Sequence, residues 1–469
     1  MFFSRRHFLT SAATTTAAWY LSPEQTSAAT YLDRARRKSD RIKITDIESH
    51  EIYIPWHAFN RQELFRYHGH RLRARSIILL RTNVGLTGVG ETWSGPFRVT
   101  DEQKKRYIGS SPMDFLGFRK DLPFNMAIYD LVGKYLEIPA WKLLGEQVRN
   151  QIPVAAWTCS LRPEMMAQEV THAASLGYRW LKYHVDQVQN VADQARAMQT
   201  VAPEGFKIHL DLNMNGVLQD IEPVLDALKP YSVIGRIEDP IRSDRPQDWK
   251  YLCQKYHWPI LSHHAPVDFM VRGNADGHMA GHAPVGSAIT VAGIADHVKK
   301  PFMLQQCGGY INQAFLAHEA SVFRMATIDH VNLAELWVDD VVKETMPIDE
   351  GVIDVPHGPG LGVTVDEPKL RELTHIPKPE YEPFLVKIMY ENGPVILARH
   401  NANVGNHVDD MRFLNRLLGD SIPGPRPGYM NQVRTEWMEP DGPMFNKAWQ
   451  ATRDRKFVVV NSHKALGIS

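Results

Sequence analysis

Four consecutive apolar runs in the middle of this 469-residue chain end in side chains that could do chemistry. The run "YRWLKYHV" carries Lys182 and His184, "FKIHLDLN" carries Asp211 and Asn213, "VIGRIEDP" carries Glu238, and "WPILSHH" ends in His263 and His264. Each run follows the last by about one βα unit, roughly 30 residues. Carboxylates delivered at adjacent strand ends repel one another, and a divalent cation between them removes the repulsion. Hard oxygen donors of this kind suit magnesium. Asp211 and Glu238 could instead cap helices or pair with Arg236 or Arg242. The adjacent imidazoles raise a further question, since strands of this type usually point their last residues into a site.

Such residues need elements to position them. Apolar runs at 152–157, 178–185, 206–213, 233–240, 258–264, 301–306 and 330–336 read as strands, and helical patterns such as "PEMMAQEVTHAASLG" and "DIEPVLDALKP" lie between them. Alternating β and α units imply a parallel sheet with right-handed crossovers. In an open doubly wound sheet the site would gather at one switch point. Polar groups at the ends of several successive strands favour a barrel, whose active site lies at the C-terminal ends of its strands. The sixth strand must lie within 265–300, where glycines and histidines hide it. Before residue 150, "IKITDIESHEIYIP" and "RARSIILLRTNVGLTGVGETW" alternate as strands, and "NMAIYDLVGKYLEIPAWKLLGE" reads as a helix stopped by Pro139 and a second short helix. The expected α/β architecture is therefore a (β/α) barrel at 151–345 under an α+β capping domain at 41–150. A turn-rich return segment follows at 346–375. The extension at 376–469 offers one helical stretch, 406–419, and one strand, "KFVVVNSH", and no domain can be assembled from them.

Lys plus Arg and Asp plus Glu are equal at 53 each, so nothing points to a nucleic-acid partner. The N-terminal "MFFSRRHFLTSAATTTAAWYLSPEQTSAAT" has a basic start with Arg5-Arg6, a weakly apolar stretch and a small-residue exit. That order predicts a twin-arginine export signal at 1–29 and a periplasmic protein. No cysteine follows the apolar stretch, so no lipid anchor is expected, and no later run reaches a membrane span. The widely spaced Cys159, Cys253 and Cys307 give neither a disulfide framework nor a paired zinc motif.

Taken together, "SIILLRTNVGLTGVGETW", "MAIYDLVGKYLEIPAWKLLGE", "GYRWLKYHV", "LDLN", "RIEDP" and "VPHGPGLGV", in that order, resemble the enolase superfamily, in its mandelate racemase and muconate lactonizing enzyme-like branch. The resemblance runs from about residue 44 to 367. It implies a modified barrel under a cap, magnesium held by three acidic strand ends, and chemistry that begins by removing the proton α to a carboxylate. Asp211 and Glu238 match the first two metal ligands, and Asn213 matches a polar residue beside the metal. Lys182 matches the residue that contacts the substrate carboxylate. His184 stands where the family often has a second lysine as base, and histidine is a competent base near neutral pH.

Departures from the pattern shape the expected function. His264 falls on the third acidic ligand, and imidazole suits Mn2+, Fe2+ or Zn2+ better than Mg2+. Asp276, His278 and His282 are alternatives for the sixth-strand role. Gln306, beside Gln305, replaces the seventh-strand histidine, which disfavours a two-base racemase. Glu335 matches an eighth-strand carboxylate that acts as electrophile or binds substrate. His57, Tyr67, His68 and His70 lie where cap loops set specificity, and suit an anionic ligand. These features predict a metal-dependent lyase of the acid-sugar dehydratase kind, or a related racemase or epimerase, acting on a small carboxylate or sugar acid and forming a homo-oligomer. The alternatives are a non-catalytic relative that binds a sugar acid or a partner, and a zinc-dependent hydrolase built on His263, His264, His278 and His282.

Overall fold

The computed structural model describes residues 41–68, 74–93, 97–186, 189–214, 216–377, 385–390, 394–399, 429–430, 433–438, 440, 442, 444–453 and 457–460. The export signal at 1–29 and the helix expected at 406–419 lie outside these residues.

Strands β1 (Ile44–Tyr53), β2 (Ala74–Thr82) and β3 (Thr87–Trp93) form an antiparallel sheet, with helices α1 (Arg61–His68), α2 (Asp101–Tyr107) and α3 (Leu122–Leu136) around it. Helix α3 buries Phe124, Ala127, Ile128 and Leu131, an i, i+3, i+4, i+7 stripe, against Ile78 and Leu80. Gly88 and Gly90 permit this approach, because a Cβ at either would overlap the α3 backbone. This is the expected α+β cap.

The chain then repeats one unit. Strand β4 (Gln151–Cys159) is followed by α4 (Pro163–Ser175), β5 (Trp180–His184), α5 (Val191–Val201), β6 (Lys207–Asp211), α6 (Leu218–Leu228), β7 (Ile234–Glu238) and α7 (Pro246–Lys255). Next come β8 (Ile260–Ser262), α8 (Asp268–Arg272), β9 (Gly277–Gly281), α9 (Val285–Val298), β10 (Phe302–Gln305), α10 (Tyr310–Val322) and β11 (His330–Val331). Each strand pairs in parallel with the next, and β11 returns to pair with β4. The sheet is a closed eight-stranded barrel. Its apolar core is continuous, from Leu181 and Ile208 through Ile237, Ile260 and Phe302 to Val331. The sixth strand, missed in the sequence, is "GHMAG", where two glycines and a histidine hide the apolar period.

Two sets of contacts tie cap to barrel. Strand β12 (Val352–Asp354) pairs antiparallel with the start of β4, and helix α11 (Glu367–Thr374) leans on the cap through Glu367 and Arg81. Asp130 of α3 accepts from the backbone N–H groups of Val89 and Leu361, at 3.0 and 2.9 Å. At the other contact the buried Arg75 guanidinium pairs with Glu91 at 2.6 Å and with Asp340 at 2.9 Å. The same carboxylates accept from the backbone N–H groups of Asn312 and Tyr310, in the first turn of α10. Negative charge at that helix start also favours the helix dipole.

Beyond the return segment, β13 (Leu385–Tyr390), β14 (Val395–Arg399), β15 (Val433–Met438) and β16 (Phe457–Val460) form an antiparallel sheet in the order β15-β13-β14-β16, with helix α12 (Phe445–Ala451) packed on it. The extension therefore has a small core of its own, which the sequence reading did not find.

Candidate active site

Register places the chemistry. His184, Asp211 and Glu238 are cross-strand partners at the C-terminal ends of β5, β6 and β7. Lys182 and His209, two residues earlier on neighbouring strands, pair in the same way and face the same interior, since strand side chains alternate. Lys182, His209, Asp211 and Glu238 are all fully buried.

The Lys182 ammonium lies 3.1 Å from Asp211 Oδ2, 2.8 Å from Glu238 Oε2 and 2.7 Å from Gln305 Oε1. His184 Nε2 is 3.1 Å from the same Asp211 oxygen, and the indole of Trp157 meets its ring edge-on. Burial and Glu238 push the Asp211 carboxyl up, but Lys182 and His184 outweigh them and hold it at about 2. Glu238 is likewise pushed up by burial and drawn well below the usual carboxylate range, first by Lys182. Burial would lower Lys182, yet the two carboxylates raise it, so the group stays charged. Burial, with Arg236 alongside, lowers His209 to about 4. Its Nδ1 accepts from Arg236 Nε at 3.0 Å, and its Nε2 lies 2.8 Å from Glu238 Oε2.

At the end of β8 the two histidines part company. His263 reaches Glu238 Oε1 at 3.3 Å, and its ring fills space that only the missing side chain of Gly281 leaves open. His264 turns to Asp239, with Nδ1 2.6 Å from Oδ2, and is about half exposed. Asp239, fully buried and at φ 45°, also accepts from the backbone N–H groups of both histidines. The hydrogen bond to Asp239 raises His264. Among the described residues, Asp239, His263 and His264 bring ligand atoms within 4.8 Å of one another, and His263 also reaches Glu238. The expected trio of Asp211, Glu238 and His264 is thus joined through His263 and Asp239 and not by direct contact.

The remaining candidates separate. Asn213, at φ 52°, folds back so that its N–H donates to Asp211 Oδ1 at 2.9 Å. Gln306 donates to Glu319 of α10 at 2.5 Å, and the seventh-strand contact with Lys182 belongs to Gln305. Glu335 accepts from the Trp157 N–H at 2.5 Å, and burial raises it to about 8. Asp276 accepts from Ile260 N–H at the N-terminal end of the barrel, far from the strand ends that carry the site. His278 is buried against Ser262 Oγ, and His282 sits at the mouth near Cys307. The four histidines of the zinc reading are not gathered into one cluster. The His57 ring lies tilted against that of His172, with centroids 4.6 Å apart, and the side chains of Tyr67, His68 and His70 lie outside the described residues.

Sequence reasoning missed His209, Asp239, Gln305 and Gly281. His209 was findable, since it precedes Asp211 by one strand period. Asp239 was not, because alternation points it outward and only its left-handed backbone turns it in.

A divalent cation fits the site. Asp211 Oδ2 and Glu238 Oε2 are buried, lie at ion-pair distance from Lys182, and accept no well-directed hydrogen bond. Two hard carboxylate oxygens with an imidazole alongside are a reasonable donor set for magnesium or manganese.

Comparison with known proteins supports the family resemblance. Residues 165–369 match the enolase C-terminal domain-like family. That match spans most of the barrel and supports the resemblance to the enolase superfamily. By structure the chain is similar to a mandelate racemase/muconate lactonizing family protein of Azoarcus sp. EbN1, with a TM-score of 0.57 at 19% identity over 72% of this chain and 98% of that one. It is 23% identical to the N-succinyl-L-Arg/Lys racemase of Bacillus cereus over 386 residues, covering 71% of this chain and 98% of the relative. It is 22% identical to the D-galactonate dehydratase of Xanthomonas euvesicatoria pv. vesicatoria over 303 residues, 54% of this chain and 73% of the relative. Among solved structures, the dipeptide epimerase of Cytophaga hutchinsonii, complexed with Mg and the dipeptide D-Ala-L-Val, has the same fold. Its TM-score is 0.57 at 18% identity, over 71% of this chain and 98% of that one.

Proposed function

We propose that this chain removes the proton α to the carboxylate of a small organic acid, with His184 as base. The substrate class favoured is a polyhydroxy acid that then loses its β-hydroxyl. One observation carries the reading: Lys182, His184, Asp211 and Glu238 converge within ion-pair distance at the C-terminal end of the barrel. The curated relatives, a racemase and a dehydratase, support the general chemistry and leave the outcome of the reaction open.

Asp211 and Glu238 would hold a divalent cation, which supplies Lewis-acid charge to a bound carboxylate. Lys182 keeps its proton between the two carboxylates and puts fixed positive charge where the enediolate develops. With His184 Nε2 facing Asp211 Oδ2 at 3.1 Å, Nδ1 is the atom that takes the α-proton, and the Asp211 carboxylate stabilises the imidazolium formed. Glu335, held protonated near neutrality by burial, offers a hydrogen bond to a substrate oxygen. Asn213 fixes Asp211 in place. The Arg5-Arg6 segment supports maturation in the cytoplasm and export in folded form, which suits a protein that takes up its metal first.

A second reading has a specific support. Lys182 already pairs with both carboxylates, and Gln305 accepts from it on the seventh strand, as would suit a relative that binds sugar acids without turnover. Incubation with a panel of polyhydroxy acids in deuterated water, with Mg2+ or Mn2+ added, separates the two. Deuterium at Cα, or 2-keto product, is expected for some member of the panel. Binding without either would establish the second reading.

A further inference from the structure

The family match ends at residue 369, and the four-stranded sheet that starts at Leu385 lies beyond it. That sheet is not a free appendage. Ile388 and Ile396 are buried in the core cluster of the barrel, and Tyr390 and Val459 pack on the same cluster. Tyr429, 3% exposed, makes two hydrogen bonds to barrel loops. Its carbonyl accepts from Val191 N–H at 2.9 Å, in the first turn of α5, and its hydroxyl donates to the Leu212 carbonyl at 3.1 Å.

These partners fix the location. Leu212 stands between Asp211, which ends β6, and Asn213, which folds back on the Asp211 carboxylate. Val191 follows the loop that leaves β5 just after His184. Both loops belong to the C-terminal end of the barrel. The Tyr390 hydroxyl is buried with no hydrogen-bond partner, and burial, with the Asp186 carboxylate acting on it, raises its pKa. Asp186 lies two residues beyond His184. The extension therefore grips the two loops that carry the base and the first metal-ligand candidate.

We infer that the sheet of β13–β16, together with Tyr429, forms a second cap over the active site, opposite in sequence to the N-terminal one, and that Tyr429 is a positioning residue that holds the Asp211–Asn213 turn and the start of α5 after His184. This deepens the proposed function, since it assigns the wall on the β5–β6 side of the mouth to a segment outside the family match. Substrate acceptance on that side is then set by the extension. Tyr429 touches backbone alone in these contacts, so its effect on chemistry passes through the Asp211 turn.

Hydrogen–deuterium exchange of the full-length chain tests this without any ligand. Val191 N–H is a direct reporter. In Tyr429→Ala, exchange of peptides spanning Val191 and Leu212–Met214 should rise about tenfold or more, while peptides of α3 and α10 hold their rates. Tyr429→Phe keeps the Val191 contact and loses the Leu212 one, so it should loosen the second peptide and spare the first. Mn2+ titration adds the functional readout, with about three- to tenfold weaker binding expected in both variants. Unchanged exchange at both loops would overturn the proposal. So would uniformly raised exchange across the barrel, which would mean that Tyr429 only supports the fold. Absence of any α-proton exchange in the wild-type protein would sink the proposed function and leave this test intact.

Discussion

Burial at the residue scale keeps several carboxyl groups neutral, and each has a consequence for pH. Glu319, fully buried beside Gln306, is raised by burial to about 8 from an ordinary 4.5. The folded state then holds a proton that the unfolded state releases above pH 4.5. Stability from that proton is complete at low pH, falls as pH rises through the window to about 8, and stays lost above it. Glu169 and Glu335 act in the same direction, at about 7 and about 8. Asp211 runs the opposite way, because its folded value lies below 3.8. Its contribution is present at neutral pH and is lost only as pH falls toward 2. Replacing Glu319 by Gln should keep the hydrogen bond to Gln306 and remove one titrating group. Thermal midpoints at about pH 5 and about pH 9 should then differ by less in Glu319→Gln than in the wild type, by a few degrees for one proton. An unchanged difference would mean that Glu319 is ionised in the folded protein.

Connections between elements rest on buried polar contacts that cannot lose one member cheaply. Arg75 of β2, Glu91 of β3 and Asp340 after β11 join the cap to the start of α10. Arg75→Ala would leave two buried carboxylates unpaired, and should cost about 3–5 kcal/mol in denaturant unfolding. A loss below about 1 kcal/mol would show that water reaches the pair. Most of this architecture was legible in the sequence. Apolar runs of β5, β6 and β7 end in Lys182-Tyr183-His184, Asp211 and Glu238 at βα spacing, and parallel barrel strands buried on both faces read as such runs. Strand β9 was hidden because "GHMAG" has no apolar period. The direction of His263 and His264 was also hidden, since one residue of difference reverses the face and only the space at Gly281 decides it. Neither Arg75 nor Asp340 stood out, because their meeting depends on contacts between distant parts of the chain. Strands such as "LVKIMY" and "VRTEWM" in the extension are short, although Asn-Gly-Pro and Asp-Gly-Pro turn signals follow them.

On the scale of the whole molecule, the barrel meets an N-terminal cap and a C-terminal sheet, both of which reach it through named contacts. Among the described residues no helix is long and apolar enough to cross a membrane. The barrel interior is polar where its strands end, and that polarity is organised around Lys182, with both carboxylates, His184, His209 and His263 within one or two contacts. Such an arrangement is expensive to fold and has its return in chemistry at the mouth, if a base and an electrophile act on the same carbon acid. The most direct measurement is Cα deuterium incorporation into the best substrate of the panel by wild type and His184→Ala, with bound metal quantified in both. The predicted result is a loss of exchange by about 10²–10⁴-fold in His184→Ala at unchanged metal content. Exchange at the wild-type rate in His184→Ala would contradict the role of His184 as the base.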